Sequence, residues 1–142
     1  MNKDFSNHSG YYIQEIARKM TIILNEKLED LGITYSQFRV LNCLWKKGGL
    51  TQKEILEIIC VKPSTLTGII NILVKKELVK RRVDSNDARI KRIHLTQKGK
   101  LLEKDSWNII LDIENMMCNS FSKEEKTLFV KWLKDVKNKL EE

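Results

Sequence analysis

The sequence has few of the residues that build common metal and catalytic sites. Its two histidines, His8 and His94, lie far apart, and no cluster of Cys, His, Asp or Glu has the spacing of metal ligands. It also lacks a glycine-rich phosphate loop, a Ser/His/Asp order with a nucleophile at a sharp turn, and a carboxylate pair in a plausible cleft. These absences argue against an enzyme, a bound metal and a bound cofactor.

Long apolar runs and turn-forming residues are also scarce. No apolar run approaches the ~20 residues that a membrane span needs, and Met1 to His8 lack the apolar segment of a signal peptide. The sequence therefore predicts a cytoplasmic protein with no membrane partner. One proline and six glycines in 142 residues, of which 42% are hydrophobic, predict a mainly helical fold with a packed core.

Only three cysteines are present. Cys43 and Cys118 lie in helical stretches rich in apolar residues, which is typical of buried, reduced thiols. Cys60 differs, because it lies in a predicted turn close to Lys62, whose charge would stabilise an exposed thiolate. A redox response through Cys60 therefore remains an alternative.

Helix-start signals divide the chain into segments. A long amphipathic helix is predicted from about Ser9 to Leu31, ending near Gly32. Thr96 is predicted to cap a helix that runs toward Met117. Three further starts are marked by capping boxes, at Thr34 with Gln37, Thr51 with Glu54, and Ser122 with Glu125.

The stretch from Thr51 to Thr96 predicts two short helices followed by a basic hairpin. The first helix should place Ile55, Ile58 and Ile59 on one apolar face. The second begins at about Pro63, because proline fits the first turn of a helix. Its core-facing stripe consists of Leu66, Ile69, Ile70, Leu73 and Val74.

A two-stranded wing is predicted from Leu78 to Leu95, with a turn-rich tip at Asp84 to Asp87. His94, opposite Ile93 on the wing, is expected to face solvent or phosphate. Eleven Lys or Arg and four Asp or Glu lie between residues 75 and 104, so this stretch carries the whole net charge of +7. Such a concentration of positive charge favours a polyanionic partner.

Two helices, a turn and a basic hairpin predict a winged helix-turn-helix that binds double-stranded DNA. Short polar side chains between the stripe positions suit base edges and phosphates, and Arg89 at the tip suits the minor groove. Asp87 could pair with Arg89, and Asp84 is a second candidate for positioning the wing. The candidate DNA-binding residues are Lys62, Ser64, Thr65, Thr67, Asn71, Lys80, Arg81, Arg89 and Lys91.

The run from Gly32 to Gly99 resembles the MarR family of bacterial winged helix-turn-helix transcriptional regulators. The matching pieces, in order, are Thr34 to Leu41, Leu50-Thr51, Ser64 to Thr67, Leu78-Val79, Arg81-Arg82, Asp84 to Arg89, Leu95-Thr96 and Gly99. The resemblance implies a mainly α fold with a two- to three-stranded wing. It carries over DNA-binding roles to Ser64, Thr65, Thr67 and Arg89, with Asp87 as positioning partner.

The predicted organisation has three parts. Residues 1–32 form part of a dimerisation region, residues 33–99 the DNA-binding domain, and residues 100–142 the C-terminal dimerisation helices. The helices at both chain ends are apolar over more surface than one small domain covers, which favours a homodimer. A two-fold dimer predicts a palindromic operator. We expect the regulator to be a repressor.

Regulators that resemble this family usually respond to an effector. A small aromatic compound is left by elimination, with a predicted pocket at Tyr11, Tyr12, Ile13, Tyr35 and Trp107. All five could equally be core or dimer-interface residues. A different class of function also remains open, a winged-helix module whose basic hairpin docks on an acidic protein.

Overall fold

The computed structural model describes residues 3–141, which contain seven α-helices, one short 3-10 helix and a two-stranded sheet. The described residues form two units, each packed internally, residues 3–109 and 110–141. The elements are α1 Ser9–Leu28, the 3-10 helix Glu29–Leu31, α2 Tyr35–Lys46, α3 Gln52–Ile58, α4 Pro63–Lys75, β1 Val79–Val83, β2 Lys91–Leu95, α5 Gln97–Leu101, α6 Glu103–Cys118 and α7 Lys123–Leu140. The predicted mainly α fold with a winged helix-turn-helix is confirmed. The three-part division at residues 32 and 99 stays a prediction.

Local hydrogen bonds fix the helix starts where the sequence predicted them. Thr34, Thr51 and Ser122 each accept a bond from the backbone three residues later, and each capping box is closed by the Gln or Glu side chain. Gly32, in the left-handed conformation at φ 73°, ends the first helical segment. These signals depend on residues within one turn, so the helix ends they predict are found at the same residues in the fold.

The helix predicted from Thr96 toward Met117 is interrupted at Leu102, which separates α5 from α6. The Gly99 carbonyl accepts a hydrogen bond from the Trp45 indole at 3.0 Å, so it is engaged outside the helix ladder. Gly99 also lies so close to the wing that an added Cβ would overlap the Leu78 carbonyl oxygen. The helix that local periodicity predicted as continuous is therefore two helices, and the first of them packs against the wing at Gly99.

The core of the first unit lies between α2, α4, the wing and the C-terminal end of α1. Leu66, Ile70 and Leu73 of α4 are fully buried in it. Ile58, predicted on the apolar face of α3, is instead 59% exposed. That prediction was wrong because α3 ends at Ile58, and the extended backbone of Ile59 turns the chain so that Ile55 and Ile59 alone reach the core.

The wing is an antiparallel pair in which Arg81 of β1 is opposite Ile93 of β2. Outside the two strands, a single-residue β-bridge joins Leu50 to Ile93, with the Ile93 N–H donating to the Leu50 carbonyl at 2.8 Å. The sheet is therefore tied to the turn before α3.

The second unit contains the C-terminal part of α6 and all of α7. Within it, Lys126 pairs with Glu114 at 3.4 Å, and the rings of Phe121 and Phe129 contact edge to face at 5.5 Å. No residue of α7 is buried, and Trp132 in its middle is 57% exposed. The other exposed large apolar side chains of α7 are Leu128, Leu133, Val136 and Leu140.

No single helix within residues 3–141 is long and apolar enough to cross a membrane. Helices α3 and α4 together have the length and apolar composition of a span, but they are bent by 114° at the break between them. The apolar stripe of α4 is buried inside the first unit.

Candidate nucleic-acid interface

Helix α4 presents a polar face opposite its buried stripe. Ser64, Thr65, Thr67 and Asn71 are all exposed, as the sequence predicted for core-opposed positions. The exposed Lys62 is the N-cap, and its side chain makes no capping hydrogen bond. The first turn of α4 therefore offers short polar side chains beside backbone N–H groups that no side chain caps.

Thr67 also holds α3 and α4 together. Its hydroxyl accepts a hydrogen bond from the Gln52 amide at 3.1 Å and donates one to the Pro63 carbonyl at 3.1 Å. The sequence analysis did not single out Gln52, because nothing in its local pattern connects it with a residue fifteen positions later. These bonds orient Thr67 on the exposed face of α4.

The wing is connected to α4 through two predicted DNA-binding residues. The guanidinium of Arg81 in β1 donates to the Asn71 Oδ1 of α4 at 2.6 Å. The structure therefore brings Asn71 and Arg81 together and fixes the start of the wing relative to the polar face of α4.

The tip of the wing is organised by its two aspartates. The Asp84 Oδ2 accepts from the backbone N–H of Asn86 and of Asp87, each at 3.0 Å. The Asp87 Oδ1 accepts from the backbone N–H of Arg89 at 3.0 Å and lies 3.7 Å from its Nε. The Arg89 side chain is 94% exposed. Asp84 and Asp87 shape the loop, and Arg89 projects from it.

Arg92 was not predicted as a site residue, yet it contacts more of this region than any predicted arginine among the described residues. It donates to Asp84 and to the Gly49 carbonyl at 2.7 and 2.9 Å, and it pairs with Glu54 at 3.5 Å. The hydrogen bond from Arg92 holds the pKa of the Asp84 carboxyl below its usual range, with help from the two backbone N–H donors. The sequence offers only a weak signal, an aspartate in the predicted tip of a hairpin and an arginine on its second strand.

Two lysines of the basic stretch donate hydrogen bonds to other residues of the chain. Lys76, the C-cap of α4, donates to the Gly32 carbonyl at 2.7 Å and to the Gln37 side chain at 2.9 Å. Lys98 donates to the Lys76 carbonyl at 3.1 Å. The local charge excess is thus partly structural. Lys75, Lys80 and Lys91 remain exposed.

His94 was expected to face solvent or phosphate, and the structure corrects this. Its ring is half-buried against Gly49, with Cε1 3.1 Å from the position that a Cβ on Gly49 would take. Burial lowers the pKa of His94, and the positive charges of Arg82, Lys80 and Arg92 add to the effect. The sequence could not show this, because the contact joins β2 to the turn after α2.

The five predicted pocket residues fall into separate groups. Tyr35 and Trp107 both contact the Phe38 ring, at centroid distances of 6.1 and 5.7 Å. Tyr11 and Tyr12 contact each other at 5.2 Å, and Ile13 beside them is exposed. No ring contact among residues 3–141 joins the two groups, so the pocket stays a prediction.

The three cysteines differ in environment. Cys43 and Cys118 are buried, and burial raises the pKa of the Cys43 thiol. Cys60 is exposed in the turn between α3 and α4. Within the described part of the chain, no three His, Cys, Asp or Glu residues are grouped so as to hold a metal ion.

A polar helix face held beside a basic two-stranded wing is the arrangement of a winged helix-turn-helix, and the comparisons give its class as DNA-binding transcriptional regulators. Residues 33–91 match the model of the MarR family. HTH-type regulator YwoH of Bacillus subtilis is 32% identical over 124 residues, covering 87% of this chain and 90% of that protein. The transcriptional repressor YetL of B. subtilis is 31% identical over 129 residues, covering 89% and 77%. The chain belongs to the MarR family.

The fold agrees with solved structures over nearly the whole chain. The Staphylococcus aureus MepR–DNA complex aligns with a TM-score of 0.85 at 27% identity, covering 98% of this chain and 99% of that one. The similarity therefore includes the helices at both ends as well as the wing.

Proposed function

We propose that this regulator is a homodimeric repressor that binds a palindromic operator and is released by a small-molecule effector. The observation that carries the proposal is the exposed polar face of α4, tied through Asn71 and Arg81 to a wing whose Arg89 is almost fully exposed. A helix and an extended tip held in fixed relation can occupy neighbouring major and minor grooves.

Each element has a distinct role in the proposed complex. Ser64, Thr65 and Thr67 contact base edges in the major groove, with Asn71 at the far end of the same face. Arg89 enters the minor groove, where the potential is most negative. Exposed Lys62, Lys80 and Lys91 neutralise phosphates. The structural similarity to MepR, which was solved bound to DNA, supports this use of the fold.

The proposed dimer would cover the apolar surface at the chain ends. Tyr11, Tyr12 and Ile16 of α1 are exposed, as are Trp132 and its apolar neighbours on α7. A two-fold axis through such a contact would repeat the α4 face about one DNA turn away, roughly 34–36 Å, which requires a near-palindromic operator.

Repression and its relief are the most specific parts of the proposal. The similarity to YetL, a repressor, favours repression. A small aromatic effector that changes the separation or mobility of the two DNA-binding regions would lower affinity without unfolding the protein. Of the predicted ligand residues, Tyr35 and Trp107 both contact the Phe38 ring, so these two are proposed to act together.

The proposal is tested by fluorescence anisotropy with DNA from upstream of the protein's own gene and with scrambled DNA of the same length, at two salt concentrations. We expect the upstream DNA to bind tighter by at least ~10³-fold, with the preference surviving at higher salt. Equal and strongly salt-dependent binding to both would contradict operator recognition. It would favour the alternative, a winged-helix module that binds an acidic protein.

The exposure of Cys60 favours one alternative mode of release, oxidation of this thiol. Peroxide should then abolish operator binding in the wild type and leave a Cys60→Ser variant bound. Cys43→Ser is the matched control. Because Cys43 is buried, this variant should lose operator binding in peroxide as the wild type does.

A further inference from the structure

The guanidinium of Arg92 contacts three parts of the first unit: the wing tip, the turn after α2, and helix α3. Its Nε–H donates to the Asp84 Oδ1 at 2.7 Å, at the base of the wing tip. Its Nη1–H donates to the Gly49 carbonyl at 2.9 Å and lies 3.5 Å from the Glu54 Oε1. A planar guanidinium with five N–H donors can satisfy several acceptors at fixed angles, which a lysine ammonium does less well.

From Arg92 a chain of hydrogen bonds runs to the exposed end of the wing. The second carboxylate oxygen of Asp84 accepts the backbone N–H groups of Asn86 and Asp87. The Asp87 side chain then accepts the backbone N–H of Arg89. The loop that carries Arg89 is therefore linked by hydrogen bonds to the Asp84–Arg92 pair.

In the other direction, Arg92 reaches the start of α3. Its partner Glu54 also accepts the Thr51 backbone N–H at 3.3 Å, which closes the α3 capping box. Gln52 of the same helix donates to Thr67 on the polar face of α4. Arg92 thus lies between the wing tip and the pair of helices that the tip must align with.

The charge around Arg92 separates it from the neighbouring basic residues. Two carboxylates, those of Asp84 and Glu54, face its guanidinium. Lys91, next to it in β2, is exposed, and none of the described hydrogen bonds or ion pairs involves its ammonium. A phosphate would have to displace the carboxylates from Arg92 but could approach Lys91 directly.

We propose that Arg92 is a positioning residue, which holds the Arg89-bearing tip in a fixed orientation to α3 and α4 and makes no phosphate contact. This inference rests on the proposed DNA-binding role of the wing. It assigns one of the arginines in the basic stretch to the internal framework of the DNA-binding unit.

The first test needs no DNA and compares Arg92→Gln with the adjacent Lys91→Gln in the full-length protein. Backbone hydrogen exchange of Asn86, Asp87 and Arg89, measured by NMR, should become roughly tenfold faster in Arg92→Gln, because the Asp84 carboxylate loses its anchor. It should be unchanged in Lys91→Gln. Asp84→Asn should reproduce the faster exchange, and the double variant should show less than the sum of the two effects.

The second test measures DNA affinity against salt concentration for the same variants. Lys91→Gln should reduce the slope of log K against log salt by about one unit, as expected for a lost phosphate contact. Arg92→Gln should weaken binding about tenfold with an unchanged slope, because the loss is in positioning. Arg92→Lys should keep the charge and still show the faster exchange at the tip.

The outcomes separate this inference from the proposed function. A slope reduced by about one unit in Arg92→Gln would overturn the positioning role, and so would unaltered exchange at the tip or full rescue by Arg92→Lys. If the wild type shows no operator preference, the repressor proposal fails. Exchange at the tip and the salt slope on nonspecific DNA still decide the role of Arg92.

Discussion

Helices α4 and α7 have apolar residues at the same three- and four-residue spacing, but the apolar face is buried in α4 and exposed in α7. Leu66, Ile70 and Leu73 of α4 are fully buried by α2, α3 and the wing. Leu128 and Trp132 of α7 are about half exposed, and α7 buries no residue at all. Helical periodicity therefore predicts that a face is to be covered, and it does not predict what covers it.

The difference has a thermodynamic consequence. The stripe of α4 should contribute to the stability of a single chain, because its own chain removes it from water. In the proposed dimer, the stripe of α7 should instead contribute to association, so its effect should depend on protein concentration. The predictions below test this contrast.

The largest effect is expected for Leu73→Ala in α4. Loss of a fully buried leucine side chain leaves a cavity and should lower the free energy of unfolding by about 2–5 kcal/mol. Urea denaturation at fixed protein concentration measures it. Ile72→Ala, one position away but exposed, is the control and should change the free energy of unfolding by about 0.5 kcal/mol. Equal effects at the two positions would remove the distinction between the faces of α4.

Trp132→Ala should act on association and not on the fold of the chain. A large aromatic side chain at the centre of an interface typically contributes at least ~2 kcal/mol, so the dissociation constant of the dimer should rise about thirtyfold or more. Analytical ultracentrifugation over a range of concentrations measures it. Lys134→Ala, an exposed position of the same helix, should leave the dissociation constant unchanged. An unaltered dimer in Trp132→Ala would exclude this face from the interface.

On the polar side of α4, Ser64→Ala should leave the free energy of unfolding unchanged and weaken operator binding by about 1 kcal/mol through a lost hydrogen bond. Anisotropy titration measures the affinity. Ser36→Ala changes the same exposed side chain in α2 and should leave the affinity unaltered. An effect of equal size in Ser36→Ala would mean that the loss is not specific to the DNA-binding face.

The smallest effect is expected from His94, in the wing. Its pKa is lowered in the fold, chiefly by burial, so below its usual value near 6.5 the unfolded chain binds more protons than the folded chain. The free energy of unfolding should therefore decrease as the pH falls from 6.5 through the lowered pKa. His94→Gln should reduce this decrease between pH 6.5 and 5.5 in urea titrations. The same pH dependence in the variant would mean that another group causes it.

Local signals allowed much of this fold to be predicted. The capping boxes at Thr34, Thr51 and Ser122 involve residues three positions apart, so sequence alone was sufficient to find them. The exposure of the polar residues of α4 follows from the helical spacing of its apolar stripe, which leaves them on the opposite face. Assignment of these residues to DNA contacts remains a prediction that the anisotropy experiments test.

Long-range contacts could not be predicted in this way. The bond from Arg92 to Gly49 joins residues 43 positions apart, and that from Lys76 to Gly32 joins residues 44 apart. In the sequence, both side chains look like members of a basic stretch available to a polyanion. The partial burial of His94 against Gly49 has the same origin, a contact between distant segments that local periodicity does not show.

The sequence by itself determined the family, the two strands of the wing and the starts of the capped helices, because capping, periodicity and motif order are encoded within short stretches. Only the tertiary structure decided which basic residues bind the protein's own carbonyls and carboxylates and which remain exposed to solvent. The physical reason is that a charged side chain takes its role from the acceptors that folding brings within about 3 Å of it, and those acceptors come from distant segments of the chain.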